Sequence, residues 1–315
     1  MDELRFDGRV AVVTGAGNGL GRAHARALAA RGAKVVVNDL GGDVSGRGAS
    51  AGPAERVVAE IRDAGGEAVA NTDTVVSPDG GAAIVQAALD AFGRIDILVN
   101  NAGVLDSEDL LTSSDDHIDL TLATHLRGAF SVTRPALRHM LDQGYGRVVN
   151  TSSGAILGSP VGLAYQAAKA GLVAFTRAVA LRGAPHGIKA NAVLPTAFTR
   201  MTDTIPDPAF HAFMESRFTP ERVAATVILL AHESFPRTGE LFLSGAGRMA
   251  RVFLGVTAGY ITEEPAPEDF LAHLDEIMDT DGFFVPADRA SEFASYLPRL
   301  GFNFGAGTKL VADDG

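Results

Sequence analysis

The chain of 315 residues contains no cysteine and no tryptophan. Without cysteine it can form no disulfide bond, thiolate nucleophile or cysteine-ligated metal site, and we expect no bound metal. The absence of cysteine also agrees with a reducing compartment, and we predict a cytoplasmic location.

Long hydrophobic runs are missing too. The first apolar run, residues 10–13, is far too short to cross a bilayer. Asp2 and Glu3 stand where a signal peptide would carry positive charge, and residues 313–315 form neither a peroxisomal nor a retention signal. We therefore expect no membrane partner and no targeting segment.

Positive charge is in deficit, because the formal net charge is −11. Nucleic-acid binding normally needs a basic patch, and here charges of both signs are mixed along the chain, so we expect no nucleic-acid partner. The 46% of hydrophobic residues and the 36 glycines are typical of a globular protein with many tight turns. A small-molecule partner is the expectation that remains.

Short apolar runs alternate with segments of helical period. The apolar runs are residues 10–13, 34–38, 68–70, 95–99, 147–150, 190–194 and 241–243. The helical segments are residues 20–31, 54–64, 80–92, 116–141, 164–182 and 220–232. Continuous hydrophobicity is typical of strands buried on both faces. The alternation predicts an α/β fold, a Rossmann-type doubly wound parallel sheet of about seven strands.

Two regions depart from this alternation. Residues 41–53 form a Gly/Ser-rich loop, either a flexible surface loop or a neighbour of the adenosine end of a nucleotide. The tail shows two helical patterns, residues 267–279 and 287–297, and no clear strand. We expect a Rossmann domain over residues 1–247. Residues 248–315 would be a helical extension that covers the substrate cleft, forms a subunit contact or does neither.

A glycine-rich run connects the first strand to the first helix. Gly15, Gly19 and Gly21 let the backbone turn sharply and approach a pyrophosphate, with Asn18 and Leu20 between them. The helix N-terminus then directs free N–H groups and partial positive charge at the phosphates. Glycines mark any tight turn, but a run placed between a buried strand and a helix predicts a dinucleotide site.

Acidic residues follow the second and third strands. Asp39 lies 18 residues after the last glycine of that run. There a carboxylate can bind the adenosine ribose hydroxyls and repel a 2′-phosphate, which favours NAD over NADP. Turn formation is the alternative, and Arg47 could admit a 2′-phosphate. Asp73, followed by Thr74 and Val75, could meet the adenine amino group or cap a turn.

Four motifs in this order resemble the short-chain dehydrogenase/reductase family. They are the glycine-rich residues 14–21, Asn-Asn-Ala-Gly at 100–103, Ser152, and Tyr165-x-x-x-Lys169. The resemblance covers roughly residues 6–247. It implies an NAD-dependent oxidoreductase that interconverts a secondary alcohol and a ketone. It also implies a homodimer or homotetramer, since the family commonly assembles through its long helices.

Tyr165 and Lys169 form the chemical centre that this resemblance implies. They are four residues apart on one predicted helix and share a face. A free phenol, with a pKa of about 10, is a poor base at neutral pH. We expect the ammonium and the nicotinamide charge to lower it, so that Tyr165 takes or returns the alcohol proton. The resemblance implies that Lys169 also holds the nicotinamide ribose.

A serine is expected to position the substrate oxygen. Ser152 lies 13 residues before Tyr165, the spacing typical of the family, and the adjacent Ser153 competes for the role. The resemblance also places three residues after the fourth strand beside the cofactor: Asn101, Ala102 and Gly103.

Three positions depart from the family pattern. His125 stands where many members carry an asparagine, and either a proton relay or helix packing would explain it. Pro195-Thr196 replaces the common Pro-Gly, and by resemblance it would meet the carboxamide together with Thr199. Residues 202–219 are expected to be the mobile substrate cover, with any helix interrupted by Pro206 and Pro208.

Several stretches resemble one subgroup of the family, the (3R)-hydroxyacyl-CoA dehydrogenase part of peroxisomal multifunctional proteins of type 2, also described as 17β-hydroxysteroid dehydrogenase type 4. They are residues 38–43, 125–128, 199–202 and 232–234. A 3-hydroxyacyl-CoA substrate is implied. The first rival is a steroid or other cyclic alcohol with the same mechanism. The second, a nucleotide sensor without chemistry, would be expected to lack Tyr165 or Lys169.

Overall fold

The computed structural model describes residues 3–43, 45–199 and 207–302. The described residues form one sheet of eight strands: β1 Val10–Thr14, β2 Lys34–Asn38, β3 Ala68–Asn71, β4 Ile97–Asn100, β5 Gly146–Thr151, β6 Ile188–Pro195, β7 Leu241–Gly245 and β8 Arg248–Val252. Their order is β3-β2-β1-β4-β5-β6-β7-β8. Strands β1 to β7 are parallel to their neighbours, and β8 pairs antiparallel with β7. The predicted Rossmann-type parallel sheet is confirmed.

Helices cover both faces of the sheet. Those of the unit that contains the sheet are α1 Gly19–Ala30, α2 Gly52–Asp63, α3 Pro78–Phe92, α4 Asp115–Leu122, α5 Gly128–Gln143, α6 Leu163–Gly183, α7 Pro208–Arg217 and α8 Pro220–Ala231. Three further helices of the described chain belong to the second unit: α9 Pro267–Ala272, α10 Leu274–Met278 and α11 Arg289–Tyr296. None of the described helices combines the length and the apolar character that a membrane crossing needs.

The strands read as continuous apolar runs because both faces of the sheet are packed. In β1, Ala11 and Val13 belong to one core cluster, whereas Val10 and Val12 belong to the other. Successive side chains of a strand point to opposite faces. Every second residue therefore enters a different core, and no position of β1 can be polar without a buried partner.

The segment predicted as one helix over residues 116–141 is two helices, α4 and α5. Between them lies a π-helical turn over Ala123–Arg127, in which the Gly128 N–H donates to the carbonyl of Ala123. Such a turn widens the helix by one residue and is frequent at functional sites. Here it contains His125, whose side chain is buried. The periodicity of the sequence did not indicate this extra residue.

The sheet extends past residue 247, where we expected the Rossmann domain to end. Residues 248–252 form β8, and the first compact unit runs to Val252. The strand was missed because it lies at the sheet edge with most of its residues exposed, so it has no buried apolar run.

Residues 200–206 of the predicted substrate cover lie outside the described part of the chain. Pro208 begins α7 instead of breaking it, since a missing N–H is harmless at a first helical position.

The second compact unit begins at Phe253. Within it, α9 and α10 replace the single helix predicted over residues 267–279, and Val256 forms a β-bridge with Phe284. Phe253 and Phe283 stack at 5.6 Å between ring centroids. No residue between 253 and 302 is fully buried.

Candidate active site

The glycine-rich loop ends β1 and opens α1 at the carboxyl edge of the sheet. Gly15 has φ +62°, and a Cβ there would lie 2.8 Å from the Ala102 Cα. A Cβ at Gly21 would lie 2.2 Å from the Gly15 carbonyl oxygen. Asn18, at the N-cap of α1, makes no side-chain cap hydrogen bond. The first N–H groups of α1 are therefore available to an anion.

Two side chains join this loop to the loop after β4. Thr14 Oγ1 accepts the N–H groups of Asn101 and Ala102, each at 3.0 Å. Asn101 Nδ2 donates to the carbonyls of Thr14 at 3.0 Å and Gly15 at 3.1 Å. The predicted cofactor neighbours Asn101 and Ala102 thus bind the glycine-rich loop directly. This arrangement explains why a side chain at position 15 cannot be accommodated.

Asp39 lies where a ribose carboxylate is expected. Its Oδ2 accepts the Gly17 N–H and its Oδ1 accepts the Gly41 N–H, each at 2.7 Å. A Cβ at Gly17 would lie 2.8 Å from Asp39 Oδ2. Each carboxylate oxygen has capacity for a further hydrogen bond. Asp39 therefore forms the turn and lies beside the glycine-rich loop, and its ribose role stays a prediction.

The insertion after β2 folds back onto the site. Its ends are joined by the hydrogen bond from the Ser50 N–H to the Leu40 carbonyl, 2.9 Å. A Cβ at Gly46 would lie 2.7 Å from Val104 Cγ1. The insertion therefore contacts the loop after β4.

The predicted cofactor neighbours after β3 and β6 differ in whether they approach the glycine-rich loop. Asp73 is exposed and its carboxylate accepts from Asn71 Nδ2 at 2.7 Å, as in a turn. Thr74 Oγ1 accepts the N–H of the second residue after it, and Val75 is buried. Thr199 does approach the glycine-rich loop, because a Cβ at Gly19 would lie 3.5 Å from its Cγ2.

The two serines after β5 have different surroundings. Ser152 is buried, and its hydroxyl donates to the Lys169 carbonyl at 2.8 Å. Ser153 is half-buried, its Oγ accepts the Ala155 N–H at 3.1 Å, and its side chain lowers the pKa of the Tyr165 hydroxyl. Of the two, Ser153 is the serine whose side chain acts on the Tyr165 hydroxyl, whereas the Ser152 hydroxyl is directed at the Lys169 carbonyl. Which of them positions the substrate oxygen stays a prediction. Adjacent residues of an extended segment point to opposite sides, so Ser152 turns inward.

Lys169 is buried beneath Tyr165. Its Nζ donates to the Thr151 carbonyl at 2.5 Å and lies 5.4 Å from the centroid of the Tyr165 ring. Burial lowers the pKa of Lys169 to about 7. At neutral pH the ammonium is thus readily deprotonated, because few groups replace its lost hydration.

Burial also raises the pKa of Tyr165, and the hydrogen bond from Ser153 opposes this by lowering it. The net direction is opposite to the lowering that we expected from the ammonium. The reason is that desolvation of the phenolate outweighs the lowering of the pKa by Ser153. Without a further positive charge, Tyr165 is a phenol, the form that donates a proton.

His125 packs against both the loop after β4 and the chemical centre. Its ring meets the Tyr165 ring edge-on at 5.1 Å, and its Nε2 lies 2.9 Å from the Val104 carbonyl oxygen. A Cβ at Gly103 would lie 2.3 Å from His125 Cε1. Burial, and then the charge of Lys169, lower its pKa well below the ordinary value. His125 is therefore a neutral, packed imidazole, and its relay role stays a prediction.

Comparison with known proteins agrees with this geometry. The short chain dehydrogenase family model matches residues 9–208. The chain belongs to the short-chain dehydrogenase family. It is accordingly an oxidoreductase that acts on CH–OH groups, and the site residues lie on the elements that define this fold.

Three similar proteins narrow the position of this short-chain dehydrogenase within its family. Peroxisomal multifunctional enzyme type 2 of Mus musculus is 46% identical over 263 residues, which are 83% of this chain and 35% of that protein. Hydroxyacyl-CoA dehydrogenase ChsB1 of Mycobacterium tuberculosis is 40% identical over 254 residues, 76% of this chain and 77% of that protein. The structure of full-length peroxisomal multifunctional enzyme type 2 from Drosophila melanogaster has a TM-score of 0.78 at 33% identity, and the match covers 95% of this chain and 50% of that one. The chain thus spans about a third of the mouse relative.

The residues of this short-chain dehydrogenase fit a nicotinamide dinucleotide. The glycines leave no side chain between the end of β1 and the start of α1, and the N–H groups there are free for a pyrophosphate. Asp39 would hold a ribose and Lys169 the second ribose.

Sequence reasoning missed one residue near the centre, Asp106, whose Oδ2 accepts the Tyr165 backbone N–H at 3.0 Å. The available signal was Gly162, a glycine at the start of a long helix. Such a start has no capping side chain of its own and needs an acceptor from elsewhere.

Proposed function

We propose that this short-chain dehydrogenase interconverts a 3-hydroxyacyl thioester of coenzyme A and its 3-oxo counterpart, with NAD as cofactor. The observation that supports the reaction is the position of the buried Lys169, whose Nζ lies 5.4 Å from the centroid of the Tyr165 ring, together with Ser153, whose side chain lowers the pKa of Tyr165. The hydroxyls of Ser153 and Tyr165 can both bind one substrate oxygen. The ammonium of Lys169 then supplies positive charge next to the Tyr165 ring.

Each residue has a defined task. Ser153 donates a hydrogen bond to the substrate oxygen and holds it beside Tyr165. In reduction the Tyr165 phenol gives its proton to that oxygen, and in oxidation the phenolate removes the alcohol proton. Lys169, held by the Thr151 carbonyl, favours the phenolate when it is protonated. The nicotinamide supplies or accepts the hydride.

NAD is proposed over NADP because of Asp39. A 2′-phosphate on the adenosine ribose would meet its carboxylate, which Gly17 and Gly41 already hold in place. Asp39→Ala should weaken NAD binding and ease binding of NADP. The measurement is the ratio of kcat/KM for the two cofactors, and an unchanged ratio would remove Asp39 from the ribose site.

An acyl substrate is supported by apolar side chains at the same edge of the sheet. Large hydrophobic residues are exposed in the segments that follow β4, β5 and β6: Leu110, Leu111, Leu157, Phe210 and Phe213. Leu111 is 91% exposed and Leu157 71% exposed. Segments after neighbouring parallel strands converge at the carboxyl edge. An acyl chain would cover such side chains, and the name of the ChsB1 relative includes hydroxyacyl-CoA.

The experiment is NADH formation by the purified protein with (3R)- and (3S)-hydroxyacyl-CoAs, hydroxysteroids and simple cyclic alcohols, with NADP run in parallel. Turnover of the (3R)-hydroxyacyl-CoAs with NAD is the expected result. Turnover of cyclic alcohols alone would keep the Tyr165 chemistry and reject the acyl substrate. Binding of NADH without turnover on any alcohol would favour the nucleotide sensor.

We also propose a homodimer or homotetramer. Phe130 of α5 is 44% exposed and its ring contacts that of Phe175 of α6 at 4.3 Å between centroids, so two long helices present an apolar surface. Light scattering of the purified chain tests this.

The mouse relative is named as a peroxisomal enzyme, so the cytoplasmic location remains a prediction, tested by imaging the tagged chain.

A further inference from the structure

Helix α6 carries both Tyr165 and Lys169, but its own sequence does not cap its first turn. The N-cap is Gly162, with φ +69° and no side chain. The first N–H groups of a helix have no partner within it, and a polar side chain at the N-cap normally accepts one of them. In α6 the third of these N–H groups belongs to Tyr165.

The loop after β4 supplies the missing acceptors. Asp106 lies 59 residues before Tyr165, and its Oδ2 accepts the Tyr165 N–H at 3.0 Å. The carbonyl of Glu108 accepts the Gly162 N–H at 2.9 Å. A capping box satisfies the same two positions, the N-cap and the third helical residue, from within one helix. Here a distant loop does so.

The carboxylate of Asp106 is fixed on both oxygens. Its side chain is 2% exposed, and Oδ1 accepts the Glu108 N–H at 3.1 Å while His117 Nε2 lies 3.1 Å from the same oxygen. A Cβ at Gly162 would lie only 2.7 Å from the Asp106 carbonyl oxygen. A self-capping residue at position 162 would therefore push the loop away, so Gly162 and Asp106 are a matched pair.

We propose that Asp106 is a positioning residue, which fixes the first turn of α6 and thereby the Tyr165 phenol against Ser153. The inference rests on the proposed function, because the place of the phenol matters only if it transfers a proton. Proton transfer is sensitive to position, and a misplacement of about 1 Å can cost on the order of a hundredfold in rate. Lys169, one turn further along, is held separately by the Thr151 carbonyl, so cofactor binding should not depend on Asp106.

The test compares Asp106→Ala, Asp106→Asn and a matched control, Asp109→Ala. Asp109 is an exposed carboxylate of the same loop whose Oδ1 accepts the Leu111 N–H at 2.9 Å. Asp106→Ala should lower kcat on the order of tenfold, with the Kd of NADH unchanged. Asp106→Asn keeps an acceptor oxygen and should recover most of kcat. Asp109→Ala should match the wild type.

Hydrogen exchange of peptides spanning residues 158–169 provides a readout that needs no turnover. Asp106→Ala should exchange faster there than the wild type and Asp109→Ala, even if the proposed function failed and no alcohol were oxidised. Equal exchange in all three would overturn the inference. Faster exchange with an unchanged kcat, or a loss of NADH binding together with kcat, would reduce Asp106 to a structural cap and overturn it as well.

Discussion

The two edges of the one sheet are both rich in polar side chains and use them differently. At the amino edge, the fully buried Asp96 carboxylate accepts from Arg94 at 2.7 Å and Arg9 at 3.2 Å. Tyr145 lies between two guanidinium groups, 3.7 Å from Arg9 and 4.4 Å from Arg147. The Asp96 carboxylate is paired on both oxygens, although Arg147 Nε is buried without a hydrogen-bond partner, and the cluster holds the starts of β1, β4 and β5 together.

At the carboxyl edge the polar side chains can form hydrogen bonds beyond those they make within the protein. The Ser153 Oγ accepts one backbone N–H, and each Asp39 oxygen accepts one backbone N–H. Lys169 has one bond to a carbonyl although its ammonium can donate three. A buried anion that is paired on both oxygens stabilises the fold, whereas side chains with unused hydrogen-bonding capacity at an open edge can bind a ligand. Substitutions at the amino edge should change stability, and those at the carboxyl edge should change turnover.

The largest expected effect is at the carboxyl edge. Tyr165→Phe removes only the hydroxyl and should lower kcat by about 10²–10⁴-fold, the usual contribution of a positioned acid or base, while NADH affinity stays nearly unchanged. Tyr145→Phe is the matched control at the amino edge and should keep kcat, because its ring contacts with the arginines remain. Steady-state kinetics and NADH fluorescence measure both. Comparable activity in Tyr165→Phe would reject the mechanism.

At the amino edge, Asp96→Asn should lower the free energy of unfolding by about 2–3 kcal/mol, since Arg9 and Arg94 lose their shared anion and the Val10 N–H loses a charged acceptor. The kcat of the folded enzyme should not change. Asp7→Asn, which breaks a solvent-exposed pair with Arg5, should have no measurable effect. Urea unfolding gives both values, and a fall in kcat without loss of stability would break the comparison.

The two serines sharpen the comparison within one edge. Ser153→Ala should lower kcat about tenfold because the substrate oxygen loses a donor. Ser152→Ala should leave kcat near the wild type and lower stability by about 1 kcal/mol, since the Lys169 carbonyl loses its partner. The reverse pattern in kinetics and unfolding would restore Ser152 as the substrate-binding serine.

A pH dependence of stability is the last expected effect. The Lys169 pKa is about 7 in the folded protein against an ordinary 10.5. Between these values the unfolded chain binds a proton that the native protein does not. Stability should therefore rise with pH in this window, by at most about 1.4 kcal/mol per pH unit. Lys169→Met should remove this rise in a pH series of urea unfolding, and an equal slope in both proteins would contradict the buried ammonium.

The sequence predicted the sheet, the glycine-rich loop and the Tyr165–Lys169 pair because each rests on neighbours along the chain. Apolar runs bounded by turns indicate buried strands, and a spacing of four residues puts two side chains on one helix face. Two elements left no pattern in the neighbouring residues and were therefore not predicted. They are the exposed strand β8 and the π-helical turn around His125.

By itself, then, the sequence determined the Rossmann-type sheet, the family and the pair of residues on α6. The different surroundings of Ser152 and Ser153 became visible in three dimensions alone, since both follow the same strand and a count of residues does not say which side chain faces Tyr165. The tertiary structure alone brought Asp106 to Tyr165 across 59 residues. The physical reason is that separate loops meet at the carboxyl edge of a parallel sheet, where side chains are chosen by contacts between segments and not by their own local pattern.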